Sequence, residues 1–438
     1  TMTSLKRVRW GTRRARSMLD KLERRGRTVV DRKTMKQARR IVRDIERGGD
    51  AALLRAVAKY DRVEADSVAD LRLDRQRSAS GALPESFAEA LDRAIENVAR
   101  FHEGQRPESF SMEIDGVFLE ERRIPLRRAG LYVPGGRFPY PSTVLMTVVP
   151  ARLAGVEEVV VVTPRKAWDS SPALRYALDR LEVDEVWGMG GAHAVGALAY
   201  GTETIERVDV IAGPGNAWVT AAKKVVSGIC GVDLEAGPSE VVIVATEGAR
   251  VDAVAVDLLA QAEHDPNAMS VLVTPDAGLA KAVAKEVDRR LDDLPTRETA
   301  RAALEARGAI FVTEDMEETR VLAERLAPEH LQLMGVEAER LADRLCRSGA
   351  IFVGNATPTA FGDYVAGPSH VLPTGGTARF ASGLGVEDFM RRSHTVRCTA
   401  DAAERLARDT ALLADLEGLA AHAESARLRL DASEKESE

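Results

Sequence analysis

The spacing of apolar residues divides this 438-residue chain into three parts. As far as about residue 104, apolar side chains such as Ala52, Leu53 and Ala56 recur at helical spacing among charges. From about residue 117, short apolar strands alternate with helix-length segments, and the last fifty residues are again typical of helix, as in 402–423. This rhythm predicts parallel, doubly wound sheets between helical ends. The predicted strands are residues 130–133, 158–163, 185–188, 208–211, 241–245 and 270–274.

Composition and charge exclude several classes of protein. Hydrophobic residues make up 45% of the chain and charged residues 29%, which is typical of a globular protein rather than a disordered one. The net charge of −7 gives no reason to expect a nucleic acid or an anionic membrane as partner, and no run of 18 apolar residues occurs. Cys230, Cys346 and Cys398 form no Cys-x-x-Cys pair, so we expect a cytoplasmic location without a disulfide framework.

Two glycine clusters each follow a predicted strand and precede a predicted helix. They lie at residues 188–191 (GMGG) and 213–216 (GPGN), and neither completes the pattern G-x-G-x-x-G, because His193 and Trp218 occupy the third glycine position. Glycine still allows a ligand to approach the backbone, and a helix N-terminus attracts phosphate. Each cluster alone is typical of a tight turn without a ligand, but two at adjacent strand ends favour a nucleotide site.

Polar residues that could support catalysis or bind a metal occur mainly in the second half of the chain. Gln261 and His264 have the i, i+3 spacing that places two side chains on one helix face, where they could chelate a metal or form a surface pair. Glu329 and His330 precede a predicted strand and could supply an acid–base pair or an exposed charged pair. The remaining candidates are Asp363 and His370 in a predicted loop, and Glu417 and His422 on the terminal helix.

One internal similarity involves two of these histidines. The segment GAIFV occurs at 308–312 and again at 349–353, and each copy is followed about twenty residues later by Pro-x-His and an aliphatic residue. The two histidines are His330 and His370. A true duplication and a coincidence between two similar strands both remain open.

Eight blocks of sequence, in order, resemble the histidinol dehydrogenase family from about residue 25 to 430. Their number and spacing make the resemblance specific. The blocks are PLRRAGLYVP at 125–134 with the glycines at 135 and 136, YPSTVLM at 140–146, GPGN at 213–216, AGPSEV at 236–241, QAEH at 261–264, LAPEHL at 326–331, GDYVAGPSHVLP at 362–373 and EGLAAH at 417–422.

The resemblance implies a role for each candidate residue. One zinc ion per subunit would be held by Gln261, His264, Asp363 and His422, and the catalytic acid–base pair would be Glu329 and His330. NAD would contact Tyr132, His193 and Asn216, although the family usually has Gln where this chain has His193. A second departure is Glu235, where an apolar or small residue is more usual. The substrate would contact Ser239, Gln261, His264, His330, Asp363, His370, Glu417 and His422.

The resemblance also implies an activity and an assembly. The expected reaction is the NAD-dependent, four-electron oxidation of L-histidinol through histidinaldehyde to L-histidine, the last step of histidine biosynthesis. The expected assembly is a homodimer with shared active sites, and the expected fold is α/β, with two Rossmann-like parallel-sheet domains and helical extensions at both ends. The predicted domains are an N-terminal helical extension at 1–27, a larger α/β domain at 28–131 and 240–385, an inserted smaller α/β domain at 132–239 on the NAD side, and a helical tail at 386–438 that crosses to the partner subunit.

Three alternatives remain open. A relative could oxidise another small polyol, such as a sulfopropanediol, but Ser142 and Ser239 within their blocks favour the histidinol type. A non-catalytic zinc-binding or nucleotide-binding relative should have lost a site residue, whereas the acid–base and metal positions are all retained. A thiol mechanism like that of aldehyde dehydrogenases would need a cysteine in a glycine-rich loop, for which Cys230 is the nearest candidate.

Overall fold

The computed structural model describes residues 5–28, 30–74, 83–136, 138–234 and 237–430. The helices are α1 Arg13–Glu23, α2 Arg32–Ala56, α3 Glu85–Glu103, α4 Pro141–Leu153, α5 Arg165–Ser170, α6 Pro172–Arg180, α7 Gly191–Tyr200, α8 Ala217–Val226, α9 Val251–Ala262, α10 Ala277–Leu291, α11 Arg297–Arg307, α12 Met316–Leu326, α13 Val336–Glu339, α14 Thr359–Tyr364, α15 Ala400–Leu416 and α16 Ala420–Arg427. The strands are β1 Lys6–Arg9, β2 Phe110–Ile114, β3 Val117–Pro125, β4 Arg128–Tyr132, β5 Glu158–Thr163, β6 Glu185–Gly188, β7 Val210–Ala212, β8 Gly231–Val232, β9 Glu240–Ala245, β10 Met269–Thr274, β11 Ala309–Val312, β12 His330–Met334, β13 Ala350–Val353 and β14 Met390–Cys398.

Two parallel sheets form the first of two structural units, which spans Thr1–Gln105 and Leu126–Phe389. The larger sheet has six strands in the order β1-β11-β10-β9-β12-β13, and the smaller has five in the order β6-β5-β4-β7-β8. The central strands of the larger sheet are apolar and buried on both faces, as in β9, because helices cover the sheet. Helix α4 is also buried almost all round, which explains why its sequence lacks a polar face.

The second unit spans Arg106–Pro125 and Met390–Glu438, and its sheet is antiparallel. Strands β2 and β3 form a hairpin whose two-residue turn, Asp115-Gly116, has positive φ at both residues, as tight hairpin turns require. Strand β14 pairs along the other edge of β3 and leads into α15, where the Thr399 hydroxyl caps the first turn. Among the described residues, no helix is long and apolar enough to cross a membrane.

The structure confirms the predicted fold class and the six predicted strands, whose ends shift by no more than two residues. The two GAIFV segments supply β11 and β13 of the same sheet. The helical prediction for the first part missed β1, a four-residue edge strand too short and too charged to be recognised. The prediction for the last part missed β14, and the expected terminal helix breaks into α15 and α16 around Gly418, which has φ of 77°.

Candidate active site

A cavity of about 880 Å³ lies in the first unit, between residues of both parallel sheets. At the smaller sheet, the cavity is lined by residues that follow the carboxyl ends of β4, β6 and β7, where doubly wound sheets usually bind ligands. At the larger sheet, it lies instead beside the amino ends of β9 and β12. It is lined by ten of the predicted site residues, namely Tyr132, His193, Asn216, Ser239, Gln261, His264, Glu329, His330, Asp363 and His370.

Glu329 and His330 stand together at the start of β12, with 6% and 3% of their surfaces exposed. Glu329 Oε2 lies 3.6 Å from His330 Nδ1 and accepts a hydrogen bond of 2.8 Å from the backbone N–H of Glu240. His330 Nδ1 lies 3.1 Å from the Glu240 carbonyl oxygen, which can only accept, so Nδ1 carries the proton. In the neutral ring, Nε2 is therefore the free acceptor, and it lies 3.7 Å from Asp363 Oδ1.

Burial shifts the two pKa values in opposite directions. Desolvation raises the pKa of Glu329 well above its ordinary value, and the nearby carboxylates of Glu240 and Asp363 raise it further against one lowering hydrogen bond. Desolvation lowers the pKa of His330, while Asp363 partly opposes the shift. Glu329 thus becomes a stronger base than an exposed carboxylate, and His330 stays neutral and able to accept a proton.

Three predicted zinc ligands, Gln261, His264 and Asp363, line this one cavity. Gln261 is buried, and its side-chain Nε2 has no hydrogen-bond partner, which is unusual for a buried amide. Because the O and N atoms of an amide are assigned from their surroundings, the same side chain can present its oxygen to a cation. The described residues contain no cluster of three or more His, Cys, Asp or Glu side chains arranged for a metal.

Two of these residues, His264 and Asp363, lie in secondary structure that differs from the prediction. Helix α9 ends at Ala262, so His264 lies in the turn beyond it rather than on the same helix face as Gln261. The turn still keeps the two residues adjacent, because the His264 N–H donates to the Gln261 carbonyl. Asp363 lies on the short helix α14 rather than in a loop, and its carbonyl oxygen accepts from Nδ1 of His370 at 2.9 Å.

The predicted NAD residues line the smaller-sheet side of the cavity. Tyr132 ends β4, and its hydroxyl accepts a hydrogen bond from Gly191 N–H at the start of α7, while burial raises its pKa to about 12. Nε2 of His193 lies 2.8 Å from Asp61 Oδ2, and the same oxygen accepts from Gly190 N–H. Asn216 is exposed and caps α8 through its side-chain oxygen.

Comparisons with known proteins identify the family of this chain. The family model described as histidinol dehydrogenase matches residues 24–430. The chain belongs to the histidinol dehydrogenase family. A histidinol dehydrogenase of Nitrosomonas europaea is 44% identical over 403 residues, which cover 91% of this chain and 93% of that protein. One of Geobacillus kaustophilus is 43% identical over 98% of this chain and 100% of its own length.

A solved structure from the same family also matches this chain. The crystal structure of histidinol dehydrogenase from Elizabethkingia anophelis superposes with a TM-score of 0.90 at 30% identity. The superposition covers 99% of this chain and 100% of that chain. The similarity therefore extends over the whole fold rather than over one sheet.

Four residues considered in the sequence analysis lie outside this cavity or outside the described part of the chain. Glu417 and His422 belong to the second unit, at the end of α15 and on α16, and are not among the cavity's lining residues. Glu235 lies outside the described residues. Cys230 is buried and does not line the cavity, and burial raises its pKa to about 11, the opposite of what a nucleophilic thiolate needs.

The sequence analysis gave no role to Asp61 or Glu240, two acidic residues in direct contact with predicted site residues. The sequence could have indicated a special role for Glu240, because this charged residue begins a strand whose other residues are all apolar. A carboxylate in such a position needs a buried partner. Asp61 gave no comparable signal, since it follows a helix in a stretch of mixed polarity.

Proposed function

We propose that the chain oxidises L-histidinol through histidinaldehyde to L-histidine, with two NAD molecules acting in turn. The observation that carries this proposal is the buried pair Glu329 and His330 in the wall of the cavity that also contains Gln261, His264 and Asp363. A base, a hydride acceptor and a polar anchor for an amino alcohol are what such an oxidation requires. Membership of the family supports the same assignment.

In the first step, Nε2 of His330 accepts the proton of the substrate hydroxyl as a hydride leaves the carbon that carries this hydroxyl. In the second step, Glu329 accepts a proton from a water molecule that adds to the aldehyde. His330, which has released its first proton, then accepts a hydroxyl proton of the hydrate as the second hydride leaves. The low exposure of both side chains supports these roles, because a closed site retains a reactive aldehyde between the steps.

We propose that Gln261, His264, Asp363 and His422 hold one zinc ion per subunit, and that Ser239, His370 and Glu417 also contact the substrate. The unpartnered side-chain amide of Gln261 supports this donor set, because a rotated amide would place its oxygen at this position, where it could bind a cation. Zinc, when bound, supplies a Lewis acid that fixes the substrate's amine and imidazole. Within the chain, Thr143 Oγ1 lies 3.2 Å from His370 Nε2 and holds that ring toward the cavity.

We propose that NAD binds along Tyr132, His193 and Asn216. Bare backbone at Gly190, Gly191 and Gly215 lines the same side of the cavity, and such positions allow the close approach of a dinucleotide. NAD, when bound, supplies the hydride acceptor. This chain has His193 where the family usually has Gln. The imidazole ring also lines the cavity, and its contact with Asp61 holds it there.

We propose that the chain forms a homodimer in the cytoplasm, with the domain bounds predicted from the sequence. Exposed apolar side chains in the second unit support a partner surface, because isolated proteins rarely expose so many. They include Phe110, Met112, Ile114, Leu412, Leu413 and Leu416, each at least 48% exposed. We propose that this unit, with the tail at 386–438, packs on a second copy of the chain and that Glu417 and His422 complete the partner's site.

The deciding experiment measures NADH formation by the purified, zinc-loaded protein. With L-histidinol, two NADH should form for each molecule consumed, and added histidinaldehyde should yield one. Dihydroxypropanesulfonate, tested as the competing substrate, should yield little NADH. Faster turnover of the sulfonate, or no NADH from L-histidinol, would refute the proposed substrate.

A further inference from the structure

The ion pair between Arg25 and Glu240 is buried beside the catalytic pair, with side-chain exposures of 1% and 2%. Arg25 follows α1 in a short 3₁₀ turn, and Glu240 is the first residue of β9. The contact is bidentate: Nε donates to Oε1 at 2.6 Å and Nη2 donates to Oε2 at 2.7 Å. This geometry holds a carboxylate in one orientation, which a single-point contact would not do.

Further hydrogen bonds connect the pair to three separate segments of chain. Arg25 donates to the carbonyl of Leu22 at the end of α1 and to that of Leu326 at the end of α12. Glu240 Oε1 accepts from the N–H of Gly375. Buried charges are tolerated when all their hydrogen bonds are made, so this network holds the segments together around one fixed carboxylate.

Glu240 also contacts both residues of the proposed acid–base pair through its backbone. Its N–H donates to Glu329 Oε2 at 2.8 Å, and its carbonyl oxygen accepts from His330 Nδ1 at 3.1 Å. The first contact orients the carboxylate, and the second selects the ring form in which Nε2 is the acceptor. The Glu329 N–H reaches back to Glu240 Oε2 at 3.4 Å.

The turn just before Glu329 is a second feature that requires Arg25 to position Glu329. Ala327, two residues before Glu329, has φ of 42°, a left-handed conformation that is costly for a residue with a Cβ. Its carbonyl oxygen and that of Leu326 both lie within reach of Arg25 Nη2, at 3.3 and 2.7 Å. The guanidinium therefore holds the strained turn from which Glu329 projects.

We infer that the Arg25–Glu240 pair is a positioning device for Glu329 and His330, and that both of its members set the rate of the chemical steps without touching the substrate. The inference rests on the proposed catalytic role of Glu329 and His330. The competing explanation is that the pair only stabilises the fold. In that case the activity of each variant should simply follow the amount of folded protein.

The test begins with Arg25→Lys, which keeps the charge but loses the bidentate contact. We expect kcat for L-histidinol to fall about tenfold or more, because small misplacements of reacting groups are costly, while KM stays within about twofold. Arg128→Lys is the matched control: Arg128 is another buried arginine, paired with Glu158 and Glu185, and none of the three lines the cavity. Its kcat should stay near that of the parent protein.

A second variant keeps the inference testable if Arg25→Lys folds poorly. The double change Arg25→Met with Glu240→Gln removes both charges, so that neither is left unpaired, and such replacements often preserve stability. We expect folding to be retained with kcat still reduced. If either variant had the same kcat per folded molecule as the parent protein, the inference would be overturned. Glu329→Gln and His330→Asn are measured alongside, and parent activity in those two would instead overturn the proposed function.

Discussion

At the scale of single residues, the reactivity of the site comes from burial. The carboxyl of Glu329 and the ring of His330 are both removed from solvent, which penalises whichever form is charged. The pKa of Glu329 therefore rises and that of His330 falls, so the carboxyl becomes a stronger base and the ring stays neutral at physiological pH. Two residues adjacent in sequence thus become suited to different proton transfers.

The first prediction separates the two oxidation steps. Glu329→Gln cannot accept a proton from water, so oxidation of histidinaldehyde should fall by about 10²-fold or more, whereas oxidation of L-histidinol should change far less. His330→Asn should impair both steps. Single-turnover NADH formation from each substrate measures the effect. His394→Asn, at an exposed histidine, is the control, and equal damage to both steps in Glu329→Gln would contradict the assigned roles.

The second prediction concerns the metal. If Gln261, His264, Asp363 and His422 bind one zinc, a chelator should abolish activity and added zinc should restore it. His264→Asn removes one nitrogen donor, so the purified variant should have lost most of the zinc found in the parent protein, as measured by elemental analysis. His394→Asn should retain its zinc. Full zinc content in His264→Asn would show that this ligand is assigned wrongly.

At the scale of helices and strands, the sequence predicted elements better than their ends. The strand expected after Glu329 and His330 is β12, which begins at His330 itself, and its start determines where these two residues lie. Helix α9 was extended too far, because Gln261 and His264 have helical spacing although the helix ends between them. Sequence spacing indicates which residues are compatible with a helix, whereas the last turn depends on tertiary packing.

Contacts between distant segments were beyond sequence reasoning. Arg25 and Glu240 are 215 positions apart, and neither residue type nor spacing pairs them. Asp61 and His193 are 132 positions apart, and their contact depends on α2 lying against α7. The resemblance identified residues that would touch ligands. The residues that hold those in place became visible only from the fold.

The third prediction concerns helix α3, which buries His102 completely near its C-terminal end. Desolvation lowers the pKa of His102, so the folded state disfavours its protonation. Above the unfolded pKa of about 6.5 both states are neutral, and the folded protein is fully stable in this respect. As pH falls below that value, the unfolded state takes up a proton first and stability declines.

Urea unfolding at pH 8 and at pH 5 measures this effect. The midpoint should fall on acidification, and His102→Gln, which cannot take up a proton, should show a smaller fall. Other buried histidines contribute to the total, so the difference between the two proteins is the relevant quantity. His394→Gln, at an exposed ring, should behave like the parent protein. An unchanged pH dependence in His102→Gln would show that burial of this ring is not linked to folding.

At the scale of the whole molecule, the residues of the proposed site belong to two different structural units. Ten predicted site residues line a cavity of the first unit, whereas Glu417 and His422 belong to the second. The second unit combines an antiparallel sheet with α15 and α16 and exposes large apolar side chains. A unit of this kind is suited to pack on another copy of the chain, so that a two-fold dimer would complete two sites at once.

The fourth prediction tests whether sites are completed between chains. We expect His330→Asn and His422→Asn each to be inactive alone. The two variants are dissociated, mixed in equal amounts and reassembled. Random pairing makes half of the dimers mixed, and in each mixed dimer one site collects both lesions while the other has His330 and His422 intact. About a quarter of parent activity should therefore return, by the counting that two-fold symmetry imposes. If each chain completed its own site, every site would keep one lesion. Subunit exchange verified by mass spectrometry, with no recovery of activity, would then exclude shared sites while leaving the proposed zinc ligands untouched.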